Sequence, residues 1–575
     1  MAEDMFAELL RQTQREYDAL DMPLVCEEAE VEEIDLPMSD GIRLKTYIYR
    51  PCIKKSAAKD LSYPVILQRS PYFHGMDSYR LHGRNLARRG FVYIIQSCRG
   101  TGESGGEWTP NINERRDGLE TLEWLQGEAW VRNVGYWGDS YLALTGWCMA
   151  DKVPDKVKGM YLGVYGTDRF TSAYCKGAFR HDVLTSWAME NAGFPVTADY
   201  EESCRYRPQI EVDEKLWGKK IPWYRDWITA VEETDPYWQQ GFWKMLRDIP
   251  EKVQIPLLIT EGWYDHHLGS ALKSYEMLND SVRGKSTLRV GCWNHFSMNC
   301  LEWGTPRNLE NSEVKSMTDW FRTLLVEDRI PEKKAQIYII GRDEWRELDA
   351  WPMPVGECKK YYLNTEKYAE KQREGTLELQ KENCSGECSY LYDPENPTRS
   401  LGAEAMLKSI EKVGSRYQPP IGERADVLSF VSDIVEDSFV IGGKIRVSLQ
   451  VSSDCEDTAF TAKLMEVDKD GRTVNIRSSI TTIAADHPGD AYVPGTPTEV
   501  VVEMWDIAWE VQKGSRLRLD ISSSDFPQYS IHSNYAGLWS KQDKSRTAKQ
   551  TIYCNGAGSS YIELPILQES MATVE

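Results

Sequence analysis

The clearest chemical signal in the sequence is Ser140, within residues 135–142 (GYWGDSYL). An apolar strand pattern ends here and a helical pattern begins. Ser140 is therefore predicted on a tight strand-to-helix turn, where hydrolases carry a nucleophilic serine. The usual form of the turn is G-x-S-x-G, and Leu142 replaces its last glycine. On this motif alone, an ordinary serine at a helix N-terminus is the alternative.

Two later residues are of the types that a nucleophilic serine needs. Asp265 follows the apolar run 256–260 (PLLIT), and His295 follows the run 288–291 (LRVG). In α/β-hydrolases the chain order is serine, acid, histidine, and parallel strands place their C-terminal ends at one sheet edge. The histidine accepts the serine proton, and a buried carboxylate orients the imidazole. This order predicts a catalytic triad of Ser140, Asp265 and His295.

Other histidines compete with His295. His266 and His267 follow Asp265 directly, but side chains adjacent in sequence are poorly placed to form the required Asp–His–Ser chain of hydrogen bonds. A metal site made of Asp265, His266 and His267 is an alternative, although no further ligand cluster is visible. Packing or surface roles are expected for His181, His487 and His532, whereas pocket-lining positions are open to His74 and His82.

Composition excludes several classes of function. The 575 residues suggest three or four domains, and the net charge of −21 disfavours nucleic acid or an anionic membrane as main partner. The 13 cysteines include no C-x-x-C pair, and Cys384 and Cys388 have no histidine nearby for a zinc knuckle. A cytoplasmic protein is predicted from three features: the cysteines are expected to be free thiols, the N-terminus is acidic, and no apolar run approaches about 20 residues.

The elements that must position these residues follow from periodicity. Buried strands at 63–68, 91–97 and 134–137 alternate with helices, which is typical of a parallel α/β sheet, and residues 31–51 predict a hairpin. Residues 166–247 are helical and rich in tryptophan, and alternating Thr/Ser/Val runs after 335 predict a β-sandwich. The predicted domains are an α/β core (1–165), an inserted helical cap (166–250), the second part of the core (251–333) and a β-sandwich (334–575).

Further motifs extend along nearly the whole chain: 69–72 (RSPY), 99–106 (RGTGESGG), 262–265 (GWYD), 343–346 (DEWR) and 521–527 (ISSSDFP). With the turn at Ser140 and the pair 294–295 (NH), the sequence resembles the cocaine esterase / X-Pro dipeptidyl-peptidase (CocE/NonD) family of serine hydrolases. The resemblance implies an α/β-hydrolase core with an inserted helical cap and a C-terminal jelly-roll sandwich. It implies no cofactor and no metal.

The resemblance also implies individual roles. Ser140 is expected to be the nucleophile, Asp265 the orienting acid and His295 the general base. The hydroxyl of Tyr72 and the backbone N–H of Tyr141 are expected to form the oxyanion hole. A tyrosine is protonated at neutral pH and can donate to a developing oxyanion. For Tyr72, packing after Pro71 is the alternative.

Two residues near Ser140 depart from the family pattern. Ala143 stands where relatives usually carry glycine, which adds one methyl group beside the turn. Asp139 has three readings: a solvent-facing carboxylate, a structural ion pair, or a charge that favours protonated His295. We favour the ion pair. The glycine-rich run 99–106 lacks the lysine of a phosphate loop and is predicted to be a rigid loop.

The predicted function is cleavage of ester or amide bonds of small-molecule acyl substrates through an acyl-enzyme at Ser140. The first alternative is an X-Pro dipeptidyl-peptidase acting on short peptides, in which carboxylates near the cap bind the α-amino group. Those carboxylates would come from Glu201, Glu202, Glu232, Glu233 and Asp235. The second alternative is a non-catalytic binding protein on a hydrolase scaffold. The sequence leaves open whether the chain forms a homo-oligomer.

Overall fold

The computed structural model describes residues 2–53, 62–73, 76–307, 313–332, 334–369, 374–381, 386–554 and 559–568. His74 and Cys384 lie outside these residues. The described chain forms two large β-sheets, one of 10 and one of 13 strands, and a two-stranded ribbon.

The first sheet and the ribbon account for every strand up to residue 348. These are β1 (Ala29–Pro37), β2 (Arg43–Pro51), β3 (Tyr63–Ser70), β4 (Val92–Ser97), β5 (Val131–Asp139), β6 (Val157–Gly163), β7 (Tyr174–Cys175), β8 (Ala178–Phe179), β9 (Leu257–Tyr264), β10 (Thr287–Asn294), β11 (Lys334–Ile339) and β12 (Glu344–Leu348). The order across the first sheet is β1-β2-β4-β3-β5-β6-β9-β10-β11-β12. From β4 to β11 the neighbours are parallel. The predicted α/β class is confirmed, and β1 and β2 form the predicted hairpin.

Most helices cover this sheet or build the cap, and the last one, α15, lies in the C-terminal domain. They are α1 (Ala2–Asp18), α2 (Met76–Arg88), α3 (Glu114–Gly127), α4 (Tyr141–Trp147), α5 (Arg169–Ala173), α6 (His181–Glu190), α7 (Tyr200–Arg205), α8 (Val212–Lys215), α9 (Pro222–Thr229), α10 (Pro236–Gln239), α11 (Gly241–Arg247), α12 (Leu268–Glu276), α13 (Asp280–Arg283), α14 (Glu313–Phe321) and α15 (Ile483–Asp486). The cap helices α5–α11 lie between β6 and β9, two neighbouring strands of the sheet. The cap is thus an insertion into the core.

The second sheet contains all later strands. These are β13 (Val355–Ala369), β14 (Glu374–Glu378), β15 (Glu387–Tyr392), β16 (Leu428–Ser432), β17 (Phe439–Gly443), β18 (Arg446–Ser453), β19 (Ala459–Val467), β20 (Thr473–Thr482), β21 (Thr498–Glu503), β22 (Ile507–Val511), β23 (Arg516–Ser522), β24 (Ala548–Tyr553) and β25 (Tyr561–Leu567). The strands are mostly antiparallel, as expected for a β-rich C-terminal domain.

The second part of the core extends further than the pattern suggested. β11 pairs in parallel with β10, and β12 pairs antiparallel with β11, so residues 334–348 complete the first sheet. The predicted boundary at 333/334 therefore falls inside this sheet. Strand alternation is the same in both sheets, and the local pattern does not show which sheet a strand will join.

The cap is attached to the sandwich by hydrogen bonds at α6. The backbone N–H groups of His181 and Asp182 donate to the carbonyl groups of Gln528 and Pro527, at 3.0 and 2.9 Å. The buried Asp182 carboxylate accepts from the N–H groups of residues 407 and 408, at 2.6 and 2.8 Å. These contacts fix α6, which carries an aromatic side chain next to Ser140.

Candidate active site

Ser140 lies between the end of β5 and the start of α4. Its backbone has φ 56°, a left-handed conformation that a non-glycine residue adopts only when the surrounding structure holds it there. The Ser140 N–H donates to the carbonyl of Gly163 on β6 at 2.9 Å. At Gly138 an added Cβ would lie 2.2 Å from the Leu142 carbonyl oxygen, so this tight turn requires glycine. The turn therefore has the geometry that the motif predicted.

The structure brings Ser140, His295 and Asp265 into one hydrogen-bonded chain. His295 Nε2 lies 2.9 Å from Ser140 Oγ, and His295 Nδ1 lies 2.5 Å from Asp265 Oδ2. Asp265 directly follows β9 and His295 directly follows β10, so adjacent parallel strands deliver both side chains to the edge that carries Ser140. A hydroxyl, an imidazole and a carboxylate in this order can pass the hydroxyl proton to the imidazole.

The Asp265 carboxylate is fully buried and held on several sides. Its Oδ1 accepts the backbone N–H of His267 at 2.6 Å. Burial acts to raise the pKa of Asp265, but the neighbouring imidazoles and hydrogen bonds outweigh it and lower that pKa to about 2. Asp265 is consequently ionised at neutral pH and can stabilise a protonated His295.

Glu261, on β9, is a buried carboxyl group beside Asp265. Burial, followed by the charge of Asp265, raises the pKa of Glu261 well above its ordinary value. Within the described chain, Asp265 is the one side chain that can form a hydrogen bond with the Glu261 carboxyl group. Protonated Glu261 can donate to Asp265 and leave the charge on the carboxylate that contacts His295. Sequence reasoning missed Glu261, which looks like one more residue of a buried strand.

The Tyr72 ring lies 6.0 Å from the ring of Tyr141, the residue that follows Ser140, in an edge-to-face arrangement. Burial raises the pKa of the Tyr72 hydroxyl well above its ordinary value, so this hydroxyl keeps its proton. Tyr141 is the first residue of α4, where a backbone N–H has no acceptor within the helix. Its side chain is committed elsewhere, because the Tyr141 hydroxyl donates to Glu114 and accepts from the N–H of Asn111.

Trp187, on cap helix α6, contacts both tyrosines. Its indole N–H donates to the hydroxyl oxygen of Tyr72 at 3.0 Å, and its ring stacks on the ring of Tyr141 at 6.3 Å. A hydroxyl oxygen that accepts this hydrogen bond keeps its own proton free to donate elsewhere. The sequence placed Trp187 in the aromatic cap, but nothing local indicated its partner.

An aromatic cleft of about 1040 Å³ lies between the cap and the loop that follows β4. Its lining includes Trp108, Phe194, Trp223, Trp227, Tyr237 and Trp243. Trp187 packs against three of these rings, at 5.6 Å from Trp223, 5.7 Å from Trp227 and 6.0 Å from Trp108. The tryptophans of the cap thus form part of a large pocket, and Trp187, which packs against three of its rings, connects it to the Tyr72 hydroxyl.

Family models match most of the chain. An "X-Pro dipeptidyl-peptidase (S15 family)" model matches residues 40–297, and an "X-Pro dipeptidyl-peptidase C-terminal non-catalytic domain" model matches residues 327–563. This chain belongs to the S15 (CocE/NonD) family. It is therefore a serine hydrolase, and the resemblance found in the sequence is confirmed.

Similar proteins agree with this membership over nearly full length. Cocaine esterase from Rhodococcus sp. (strain MB1 Bresler) is 28% identical, covering 93% of this chain and 98% of its own. A putative serine esterase from Mycobacterium bovis is 22% identical over 92% of this chain and 94% of its own.

Solved structures share the fold. An α-amino acid ester hydrolase has a TM-score of 0.78 at 19% identity, covering 96% of this chain and 99% of its own. An aminopeptidase from the marine sediment archaeon Thaumarchaeota archaeon has a TM-score of 0.79 at 18% identity, covering 94% and 96%.

In this S15-family chain the other described histidines lie outside the hydrogen-bonded chain of Ser140, His295 and Asp265. His266 and His267 are buried, and burial lowers the pKa of each well below its ordinary value. His267 Nδ1 is 2.8 Å from the Ser172 hydroxyl. The remaining described histidines pair as follows: His82 with the Tyr17 hydroxyl, His181 with Thr185, His487 with the Glu499 carbonyl, and His532 with Asp457.

One group in the described residues could hold a metal ion by proximity: the ligand atoms of Asp265, His266 and His295 all lie within 4.8 Å of one another. It differs from the alternative considered in the sequence, because His295 takes the place of His267. Both ring nitrogens of His295 already face Asp265 and Ser140. A metal here would displace the proton relay of the S15-family hydrolase, so the arrangement favours the relay.

The predicted ion pair of Asp139 is wrong. Its carboxyl group accepts the Trp137 indole N–H at 3.0 Å and hydrogen-bonds with a second carboxyl group, that of Glu313. Among the residues that the structure describes, no lysine or arginine forms an ion pair with either of them. The sequence could not reveal this partner, which is far along the chain at the start of α14.

The five cap carboxylates that were candidates for binding an α-amino group lie outside the lining of the aromatic cleft. Glu201 pairs with Arg205 and Arg399, and Glu233 lies near Lys273 and Arg247. Asp235 caps α10 by accepting the N–H of Tyr237. Within the described chain none of the five predicted carboxylates, Glu201, Glu202, Glu232, Glu233 and Asp235, lines the cleft. Asp226, which sequence reasoning did not single out, does line it.

Proposed function

We propose that Ser140 is the nucleophile of this serine hydrolase, with His295 as general base and Asp265 as orienting acid. The single observation that carries the proposal is the continuous relay from Ser140 Oγ through His295 to Asp265, at 2.9 and 2.5 Å. A serine hydroxyl attacks carbonyl carbon efficiently only when a base removes its proton. The orienting carboxylate holds the imidazole in the tautomer that can accept it.

The reaction then has two halves. Ser140 Oγ bonds to the acyl carbon while its proton moves to His295 Nε2, and the tetrahedral intermediate collapses as His295 protonates the leaving alcohol or amine. Water, deprotonated by His295, then attacks the acyl-enzyme and releases the acid. Both halves need a proton acceptor that becomes a donor, which an imidazole provides near neutral pH.

The oxyanion that forms in each half is assigned to two donors, the Tyr72 hydroxyl and the Tyr141 backbone N–H. Support comes from the packing of the Tyr72 ring against Tyr141, the residue after Ser140, and from the Trp187 hydrogen bond, which leaves the Tyr72 proton available. Donors that are already oriented in an apolar site stabilise the developing charge without reorganisation.

The preferred substrates are proposed to be esters or amides with bulky apolar acyl groups. The aromatic cleft supports this choice, because its rings provide a large apolar surface connected through Trp187 to Tyr72. An X-Pro dipeptidyl-peptidase would need carboxylates that are free to bind an α-amino group. The predicted cap carboxylates are engaged or lie outside the cleft, which leaves Asp226 as the cap acid in it.

A parallel assay tests this function. Wild type should hydrolyse p-nitrophenyl esters of aromatic acids faster than p-nitroanilides of Gly-Pro and Ala-Pro, and Ser140→Ala should lose both activities. Ser281→Ala, which removes an exposed hydroxyl on α13, is the matched control. A higher kcat/KM for the Gly-Pro anilide would support the peptidase instead. Full activity in Ser140→Ala would overturn the assignment of the nucleophile.

A cytoplasmic location is also proposed. The cysteines that the structure describes are all free thiols. Cys292 and Cys300 are buried with their sulfur atoms 3.7 Å apart, yet they are not joined. Unjoined thiols at this distance are typical of proteins kept in a reducing compartment. Within the described residues, no helix has the length and apolar character needed to cross a membrane.

A further inference from the structure

A second cavity, separate from the aromatic cleft, reaches the relay at His295. This acidic chamber has a volume of about 290 Å³ and is lined by residues of α1, α2 and α14 together with the C-terminal ends of the central strands. The titratable and charged groups along it are Glu16, Tyr79, His82, Asp139, Tyr161, Arg289, His295 and Glu313. It shares no lining residue with the aromatic cleft.

Asp139, the residue directly before Ser140, extends its carboxyl group into this chamber. The group accepts the Trp137 indole N–H at 3.0 Å and hydrogen-bonds with Glu313. Gly163 on β6 leaves space for it, since an added Cβ there would lie 2.0 Å from Asp139 Oδ1. The Asp139 carboxyl group is therefore held in place by the Trp137 hydrogen bond and by the close fit against Gly163.

Glu313 links the chamber to the loop that carries His295. It is the first residue of α14, and its carboxyl group also hydrogen-bonds with the Ser297 hydroxyl, two residues after His295. Burial is the main cause that raises the pKa of both Asp139 and Glu313, and Glu313 is raised further by the charge of Asp139. Two partly buried carboxyl groups that hydrogen-bond with each other hold one proton between them at neutral pH, because both cannot ionise together.

The other groups around the pair do not neutralise it. On β10, Arg289 donates to the Ser316 hydroxyl and lies over the Trp345 ring at 4.6 Å. On α2, burial lowers the pKa of His82 to about 4, so His82 is neutral.

Three further elements carry ionisable groups near the pair. On α1, Glu16 accepts from Gln12. On β9, Glu261 is protonated, and on β6 burial raises the pKa of Tyr161 well above its ordinary value. The pair is thus left with one negative charge. When His295 becomes protonated, its positive charge interacts with Asp139.

We propose that Asp139 and Glu313 share one proton and that their remaining negative charge stabilises the imidazolium formed when His295 accepts the proton of Ser140. This inference rests on the proposed role of His295 as base. The pair touches neither substrate nor reacting atoms, so both are positioning residues. Proton balance is simple: the Ser140 proton moves to His295 and on to the leaving group, and the pair gains and loses none.

The test removes the charge while it keeps the shape. Asp139→Asn/Glu313→Gln has no charge on the pair, whereas Glu313→Gln alone leaves Asp139 ionised and serves as the matched control. The double variant should lower kcat/KM about tenfold and move the midpoint of the acid limb down by about one pH unit, since a weaker base protonates at lower pH. The control should stay within about twofold of wild type. Asp139→Asn alone, which leaves the charge on Glu313, should shift the limb less, in the same direction.

The readouts are the pH profile of kcat/KM for a p-nitrophenyl ester and the pH profile of fluorophosphonate labelling at Ser140. Labelling reports activation of the nucleophile alone, and the single variants answer the question if the double variant does not fold. A wild-type acid limb in the folded Asp139→Asn and double variants would overturn the inference. If Ser140→Ala were labelled and active, the proposed function itself would fail, which is a separate result.

Discussion

The two cavities differ in their electrostatics. The lining of the aromatic cleft includes four tryptophan rings and one tyrosine ring, and Trp187, which packs against three of these rings, donates to the neutral hydroxyl of Tyr72. The acidic chamber reaches His295 and contains two partly buried carboxyl groups, Asp139 and Glu313, with one negative charge between them.

This difference matches the direction in which charge separates during acyl transfer. A negative charge develops on the substrate oxygen, and a positive charge develops on His295. Neutral donors on one side avoid repelling the oxyanion, and the acidic side favours the imidazolium. The comparison teaches that the protein can stabilise the negative oxyanion and the positive imidazolium separately, each from the side of a different cavity.

The largest effect is expected from removal of the Asp265 carboxylate, which contacts His295. Asp265→Asn should reduce kcat by about 10⁴-fold, because the amide favours the wrong imidazole tautomer. Fluorophosphonate labelling and ester turnover measure this loss. Asp226→Asn, an acid of the aromatic cleft, is the control and should change turnover of a neutral ester by less than about threefold. An Asp265→Asn enzyme with near wild-type turnover would remove Asp265 from the relay.

On the side of the cleft, Tyr72→Phe should lower kcat by about 10²–10³-fold with little change in KM, since the lost donor acts mainly in the transition state. Steady-state kinetics with a small p-nitrophenyl ester measures this. Tyr141→Phe is the matched control, because its hydroxyl binds Glu114 and Asn111 while its backbone N–H is kept. Equal losses in both variants would contradict a specific role for the Tyr72 hydroxyl.

The smallest effect concerns the cap. Trp187→Phe should lower kcat about five- to tenfold, the value of one ordinary hydrogen bond to the Tyr72 hydroxyl. In a Tyr72→Phe background the same substitution should have almost no further effect, because the two residues act together. Trp223→Phe, a neighbouring ring without that contact, is the control. Additive losses in the double variant would show that Trp187 acts through packing alone.

The arrangement of Ser140, Asp265 and His295 could be predicted because it follows from local patterns joined by one topological rule. Ser140, Asp265 and His295 each come directly after a buried strand, and parallel neighbours bring those strand ends together. The fold class followed in the same way, since apolar strands alternating with helices leave few arrangements that bury the sheet. The oxyanion assignments of Tyr72 and Tyr141 depended on the family resemblance and stay predictions.

Other features depend on contacts between distant segments and leave no periodic trace. Glu313 meets Asp139 across the sheet, so an isolated carboxylate next to Ser140 suggested an ion pair that is wrong. The sequence did not distinguish Trp187 from the other tryptophans of the cap, whereas the structure shows that its indole N–H donates to Tyr72. Strands β11 and β12 resemble those of the sandwich, and only the partner of β11 reveals that they belong to the first sheet.

The position of the cap also determines the order in which the site can be assembled. β6 and β9 are hydrogen-bonded neighbours, yet the whole cap is synthesised between Gly163 and Leu257. A chain emerging from the ribosome therefore exposes the unpaired edge of β6 until the cap has been made. Closing such a long loop adds little to the free-energy cost of folding, because that cost grows only logarithmically with length, but it slows the pairing. Ser140 can meet His295 only after about half of the 575 residues have been made, so a nascent chain that ends within the cap lacks the proposed general base.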